Sequence, residues 1–181
     1  MCTDMAHVTG KSVPLAQVRS LPRERTFIFS GTIAPIMQKM IRTLEELKKE
    51  AVSFVGALAP SERGATLVTL SGELGAGKTS FTKVVAGVLG VEETVTSPTF
   101  VLEKIYLLPE GQLFKRLIHI DAYRLDKGSD LTPLGFDEFM QDESNLILLE
   151  WPEKVADALP TPSKKLSFVA LPDGSRTIFY D

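Results

Sequence analysis

The sequence predicts an α/β fold: a central mixed sheet, with parallel core strands and antiparallel hairpins, flanked by helices. Three observations predict it. The short apolar, β-branched stretch "ATLVTLSG" (65–72) runs directly into a glycine-rich turn and then an amphipathic helix. A second continuous apolar run, "NLILLEW" (145–151), has the composition of a strand buried on both faces. Two further pairs of strand-like segments flank "PEGQ" and "PDGS", which is hairpin spacing and brings antiparallel content to the sheet.

Taken in order, residues 1–39 read as an N-terminal extension. They mix Pro14, Pro22 and Pro35 with Gly10 and Gly31 and hold no sustained period of 3.6 or 2, so a loose tail, or sequence upstream of a start at Met40, is expected. A single domain is expected over 40–181. It opens with a helix in which Leu44, Leu47, Ala51, Val55 and Leu58 recur at helical spacing, started by the capping-box pair Thr43 and Glu46. After strand 65–72 and its turn, Phe81, Val84, Val85, Val88 and Leu89 mark a second helix, stopped by Gly90. "FVLEKIYLL" and "LFKRLIHID" are expected to form a hairpin closed by a four-residue loop. "LGFDEFMQ" reads as a short helix, and "KKLSFVAL" with "RTIFYD" as the last hairpin.

Composition narrows the classes. Hydrophobic residues make up 44% of the 181, enough for a packed core. The longest apolar candidate, "TFIFSGTIAPIM" (26–37), falls short of a membrane span and lacks a clean cleavage site, so no membrane association is expected. The one cysteine, Cys2, excludes a disulfide framework and a Cys-based metal site, and a reducing, cytoplasmic setting fits. Residues 61–181 carry 12 Lys+Arg against 18 Asp+Glu. A surface that grips a nucleic acid backbone has the opposite sign, so any RNA would be held mainly by partners.

"SGELGAGKTS" (71–80) carries the chemistry. Gly72, Glu73, Leu74, Gly75, Ala76, Gly77, Lys78 and Thr79 match G-x-x-x-x-G-K-[ST] in full, and Ser80 follows in the first turn of the helix. The glycines let the backbone curl so that successive N–H groups face phosphate oxygens. Lys78 brings a cation to the β- and γ-phosphates, Thr79 a hydroxyl to Mg²⁺, and the helix start its positive dipole end. The loop sits between a strand and a helix as this mechanism requires, which makes the expected fold a P-loop NTPase fold and the expected ligand a nucleoside triphosphate.

Such a site needs an acidic partner for the metal and a group that positions water. Asp121 ends "LIHID" and Glu150 ends "NLILLE"; a carboxylate at the tip of an apolar strand is seldom there without a partner. In "TVTSPTF", Thr96, Ser97 and Thr99 offer hydroxyls where a phosphate-sensing segment often sits, with Pro98 holding Ser97 extended. His119 has no second His or Cys near it, and a satisfied structural role is the expectation for it.

With these residues assembled, "SGELGAGKT", "VTSPTF", "HIDAYRL" and "LLEWPE" occur in the order and at the spacing of the bacterial TsaE family (older name YjeE), which the chain closely resembles from about Thr43 to its C-terminus. The resemblance implies an ATPase accessory in the formation of threonylcarbamoyladenosine (t6A) in tRNA, working with the TsaB and TsaD proteins and reaching tRNA through them. It implies ATP phosphates on residues 72–80, Mg²⁺ on Thr79, a switch-like role for Ser97, Pro98 and Thr99, and metal or catalytic roles for Asp121 and Glu150 beside Lys78. How the two carboxylates divide those roles stays open. Tyr123, Arg124 and Trp151 also match the family pattern. Glu73 stands where Asp is common, at a variable position.

The alternative is a P-loop small-molecule kinase. Such enzymes close an Arg-rich lid over the phosphates, whereas residues 100–181 hold only Arg116, Arg124 and Arg176. A GTP-dependent switch would carry N-K-x-D and D-x-x-G motifs, and the chain has neither.

Overall fold

A computed structural model describes residues 37–181. A seven-stranded sheet runs through it in the order β1-β7-β6-β2-β5-β4-β3. The strands are β1 (Met37–Ile41), β2 (Thr66–Gly72), β3 (Glu103–Leu107), β4 (Arg116–Asp121), β5 (Asn145–Glu150), β6 (Lys164–Ala170) and β7 (Arg176–Tyr180). The core strands β6, β2, β5 and β4 are parallel. Antiparallel pairs close both sides: β4 with β3, and β6 with β7 with β1. The mixed sheet flanked by helices is the α/β architecture expected from the sequence.

Alternation along the core strands feeds two apolar clusters, one on each face. Val68, Leu70, Leu146 and Leu148 pack with Phe54 and Phe81, which come from helices α1 (Leu44–Gly56) and α2 (Lys78–Val88). Leu67, Ile118, Ile147 and Leu149 pack with Leu131, Phe136 and Val155 on the other face, beneath helix α3 (Phe136–Met140). Phe81 is the hinge-pin of the first cluster, with Phe54 edge-on at 5.3 Å and Phe168 at 5.5 Å between ring centroids.

Thr43 caps α1 by accepting from Glu46 N at 3.1 Å. The returning Glu46 carboxylate takes the N–H of Arg42 at 2.6 Å, one residue earlier than a capping box would have it.

Three local expectations are corrected. Residues 37–39, assigned to the extension, lie in β1, which pairs with β7 from Met37↔Tyr180 to Ile41↔Arg176. The rest of the expected extension lies outside the described residues. Phe100–Leu102 are a turn and not the start of a strand, because Val101 N and Leu102 N both donate to Pro98 O and Leu102 sits at φ 67°. The β3–β4 hairpin keeps its turn at PEGQ, but the paired strands stop earlier, leaving residues 108–115 between them. Pro109 has no N–H to extend the ladder, and a single Leu108 N–Lys115 O bond of 2.9 Å bridges the loop.

Candidate functional site

The C-terminal ends of parallel strands in an open α/β sheet form the natural ligand crevice. Here β2 delivers the loop to that edge, and β4 and β5 deliver the two carboxylates. Register pairs Asp121 directly with Glu150 and His119 with Leu148, so all three polar side chains fall on the face that carries α2. Both carboxylates are buried.

The loop leaves β2 at Gly72, whose φ of 135° and tight fit fix its identity: a Cβ there would lie 2.4 Å from Phe168 O. Gly77, at φ 109°, starts α2, and the space of its missing side chain is taken by Arg176, with Cδ at 3.2 Å and Nε at 3.4 Å from an ideal Cβ. Lys78 is folded back over its own loop. Its Nζ donates to Gly72 O at 2.6 Å and Glu73 O at 3.0 Å, and stands 3.7 Å from the Trp151 ring centroid. Burial pushes the Lys78 ammonium below the usual lysine range, while Glu150, Glu153 and Asp121 pull in the opposite direction.

Thr79 Oγ1 donates to Glu150 Oε2 at 2.9 Å. The other carboxylate oxygen, Oε1, faces His119 Nε2 at 2.8 Å, with both side chains sealed from solvent. A carboxylate accepts, so Nε2 is the donor, and the buried Nδ1 has no hydrogen-bond partner among the described residues. His119 is thus two hydrogen bonds behind the loop's threonine, holding Glu150 in place. Sequence reasoning placed it in a structural role; what it holds depends on cross-strand register, which periodicity does not report.

Asp121 is held from the other side. Oδ1 accepts from Tyr123 N at 3.0 Å, and Oδ2 accepts from Thr99 Oγ1 at 2.5 Å. Thr99 in turn lies 2.6 Å from Ser97 Oγ, while Thr96 is engaged by Lys104. The hydroxyl segment is therefore tied to a strand-end carboxylate and not free in solvent.

One cleft of ≈ 240 Å³ gathers Lys78, Thr79, Ser80, Ser97, Thr99, Asp121 and Glu150, with Leu74, Gly75, Gly77, Tyr123 and Trp151 also in its lining. Several expected residues lie elsewhere. Ala76 is buried and faces a second cleft, Glu73 contributes its carbonyl to Lys78 while its residue is exposed, and Pro98 is buried with its carbonyl spent on the following turn. Gly72 likewise presents its carbonyl to Lys78. Trp151 was noted only for matching a pattern; the structure gives it a left-handed backbone, φ 61°, a Tyr123 ring at 5.0 Å and the Lys78 ammonium.

A glycine-rich loop between β2 and α2, backed by strand-end carboxylates, defines an α/β protein of the P-loop class. Residues 40–178 match the family model described as threonylcarbamoyl adenosine biosynthesis protein TsaE. Similar proteins include tRNA threonylcarbamoyladenosine biosynthesis protein TsaE of Treponema pallidum, 40% identical over 62% of this chain and 79% of the relative. The Rickettsia bellii protein of that name is 33% identical over 77% and 90%. The crystal structure of Bacillus subtilis YdiB superposes with a TM-score of 0.64 at 27% identity, covering 83% of this chain and 87% of that one. The chain belongs to the TsaE family, and its role lies in threonylcarbamoyladenosine biosynthesis in tRNA.

Proposed function

We propose that the chain is a Mg²⁺-dependent ATPase whose hydrolytic step serves a TsaB–TsaD assembly that modifies tRNA. The single observation that carries the reading is the register of Asp121 with Glu150, which sets two buried carboxylates side by side against Lys78 and Thr79. An ATP triphosphate lying along residues 72–80 would have its terminal phosphate between them.

The donor set suits a hard cation. Thr79 Oγ1, Asp121 and Glu150 supply only oxygens, and Mg²⁺ takes one or two carboxylates together with phosphate oxygens and water. Among the described residues no three His, Cys, Asp or Glu side chains form a cage of their own, so the phosphates would complete the shell. Mg²⁺ would supply charge neutralisation at the β- and γ-phosphates.

The chain's own groups divide the remaining work. Lys78 exchanges its two carbonyl partners for phosphate oxygens, and burial makes that exchange favourable because a desolvated cation gains most from an anion. Glu150, oriented by His119, is the acceptor for a proton from water attacking the γ-phosphate. Asp121, joined to Thr99 and Ser97, links the state of the phosphate to the segment 96–101, the natural path to a partner. Phe100 and Val101 stand 83% and 60% exposed there, apolar side chains available for contact.

Product analysis tests the reaction class. With γ-labelled ATP and Mg²⁺, label is expected in inorganic phosphate; label in an added small-molecule acceptor would make the chain a kinase.

A further inference from the structure

Alternation along the strands leaves half of one sheet face bare. Val68 and Leu70 pack into the cluster under α1 and α2, so Thr69 and Ser71 between and beyond them point to the other side. On that side the second cluster draws on β2, β5 and β4, and on no residue of β6, β7 or β1. Val169 of β6 is accordingly 43% exposed. Where the cover stops, a third cleft of ≈ 390 Å³ opens. The sheet contributes Thr69, Ser71, Lys165 and Ser167 to its lining, with Thr69 paired to Lys165 and Ser71 to Ser167 in the β2–β6 register. The segment after β5 contributes the opposite side, from Pro152 and Glu153 to Thr161 and Pro162.

We propose that this cleft is a docking groove for an extended segment of a partner protein, acidic where it meets Lys165. The inference rests on the reading of the chain as one that works with a protein assembly.

The lining suits a peptide backbone. Thr69 is only 5% exposed, and its hydroxyl has no hydrogen-bond partner among the described residues. A buried hydroxyl left in that condition gains from a ligand that can pair with it. Ser71 Oγ donates to Leu166 O at 3.3 Å and lies 2.9 Å from Ser167 Oγ, so this pair still has lone pairs to offer. An extended chain presents N–H and C=O groups at every residue, and hydroxyls can meet either kind.

Charge narrows the occupant further. None of the ion pairs among the described residues uses Lys165, Glu153 or Asp181. Lys165 therefore offers an ammonium to an incoming carboxylate, although Asp181 is its backbone neighbour across the β6–β7 pair, with Asp181 N donating to Lys165 O at 3.0 Å. Glu153 and Asp181 beside a lone cation disfavour a phosphate backbone, and the hydroxyl-lined sheet offers little to an acyl chain. A polypeptide of mixed polarity is what the groove accommodates.

The groove is also formed in advance. Pro152, Pro160 and Pro162 fix the backbone on its loop side, and that segment is pinned to β2 at both ends, by Trp151 N to Leu70 O at 3.1 Å and Ser163 N to Leu67 O at 2.8 Å. Little ordering is left for the partner to drive. Trp151, whose ring carries the Lys78 ammonium, immediately precedes Pro152 and Glu153, so the phosphate cleft and the groove are lined by successive residues of one segment.

The test measures binding of the full chain to a purified TsaB–TsaD assembly by calorimetry. Lys165→Glu reverses the charge and Thr161→Arg fills the groove; both residues are exposed and stand outside the phosphate cleft. Each should weaken the complex about tenfold or more, while Lys165→Arg stays within about threefold and Mg-ATP binding stays within about twofold in all three. In the unaltered chain, hydrogen exchange should slow at the amides of 153–159 and 161 when the assembly is added, a readout that does not depend on how the variants fold. Unchanged partner affinity in both variants, or protection confined to other segments, would overturn the groove while leaving the partner reading intact. Protection of the same amides in the chain alone, rising with its concentration, would put a second copy there and overturn the proposal. Failure of the unaltered chain to bind the assembly would overturn both readings.

Discussion

His119 Nε2 and Glu150 Oε1 lie 2.8 Å apart across neighbouring parallel strands, in contact with no solvent, and the far oxygen of the same carboxylate carries the hydrogen bond from Thr79. The loop's threonine, the carboxylate and the histidine are therefore one mechanical unit. His119→Leu should lower turnover by about 10–100-fold while ATP affinity stays within about threefold, because it releases Glu150 without touching the phosphates. His119→Gln can donate an N–H from a similar position and should recover most of the loss. A histidine that merely filled space would show no such rescue.

Glu150→Gln keeps an oxygen for Thr79 and removes the charge. Steady-state hydrolysis is expected to fall by about 100-fold or more, with binding of ATP retained. Full hydrolysis by this variant would remove Glu150 from the reaction.

Trp151 is the only tryptophan of the chain, and the Lys78 ammonium sits 3.7 Å from its ring. Drawing Lys78 onto phosphate oxygens removes that cation. Titration with Mg-ATP should therefore change tryptophan emission saturably, and Lys78→Ala should abolish the change along with most of the affinity. Emission that ignores the nucleotide would contradict the movement of Lys78.

Asp142 gives a pH dependence with a definite sign. The Ser144 hydroxyl, then the Ser144 N–H and the Arg116 guanidinium, hold its carboxyl down at about 2. A carboxyl whose folded pKa is depressed contributes stability above its unfolded value, and that contribution is lost as pH falls through the folded one. Asp142→Asn should be less stable than the parent at neutral pH, and thermal melts of the two should converge between about pH 4 and pH 2.

Local chemistry was legible in the sequence, and cross-strand geometry was not. The loop of 72–79 and the strand-ending Asp121 and Glu150 could be read because each is marked by its own neighbours along the chain. Their direct pairing is a property of β4–β5 register. β1 escaped notice because "MQKMI" shows little alternation, and four of its five residues are exposed; the strand exists through its partner β7. Phe100–Leu102 read as strand by propensity, yet the Pro98 carbonyl collects two N–H groups and turns the chain. The place of Arg176 gave no signal at all, since it lies over Gly77, 99 positions earlier.

The most direct measurement is phosphate release from Mg-ATP by the purified chain, alone and with TsaB, TsaD and tRNA added. A slow basal rate that rises when the partners are present, and that vanishes in Glu150→Gln, is the expected result. Fast turnover indifferent to the partners would contradict the assignment of this site to a partner-dependent ATPase.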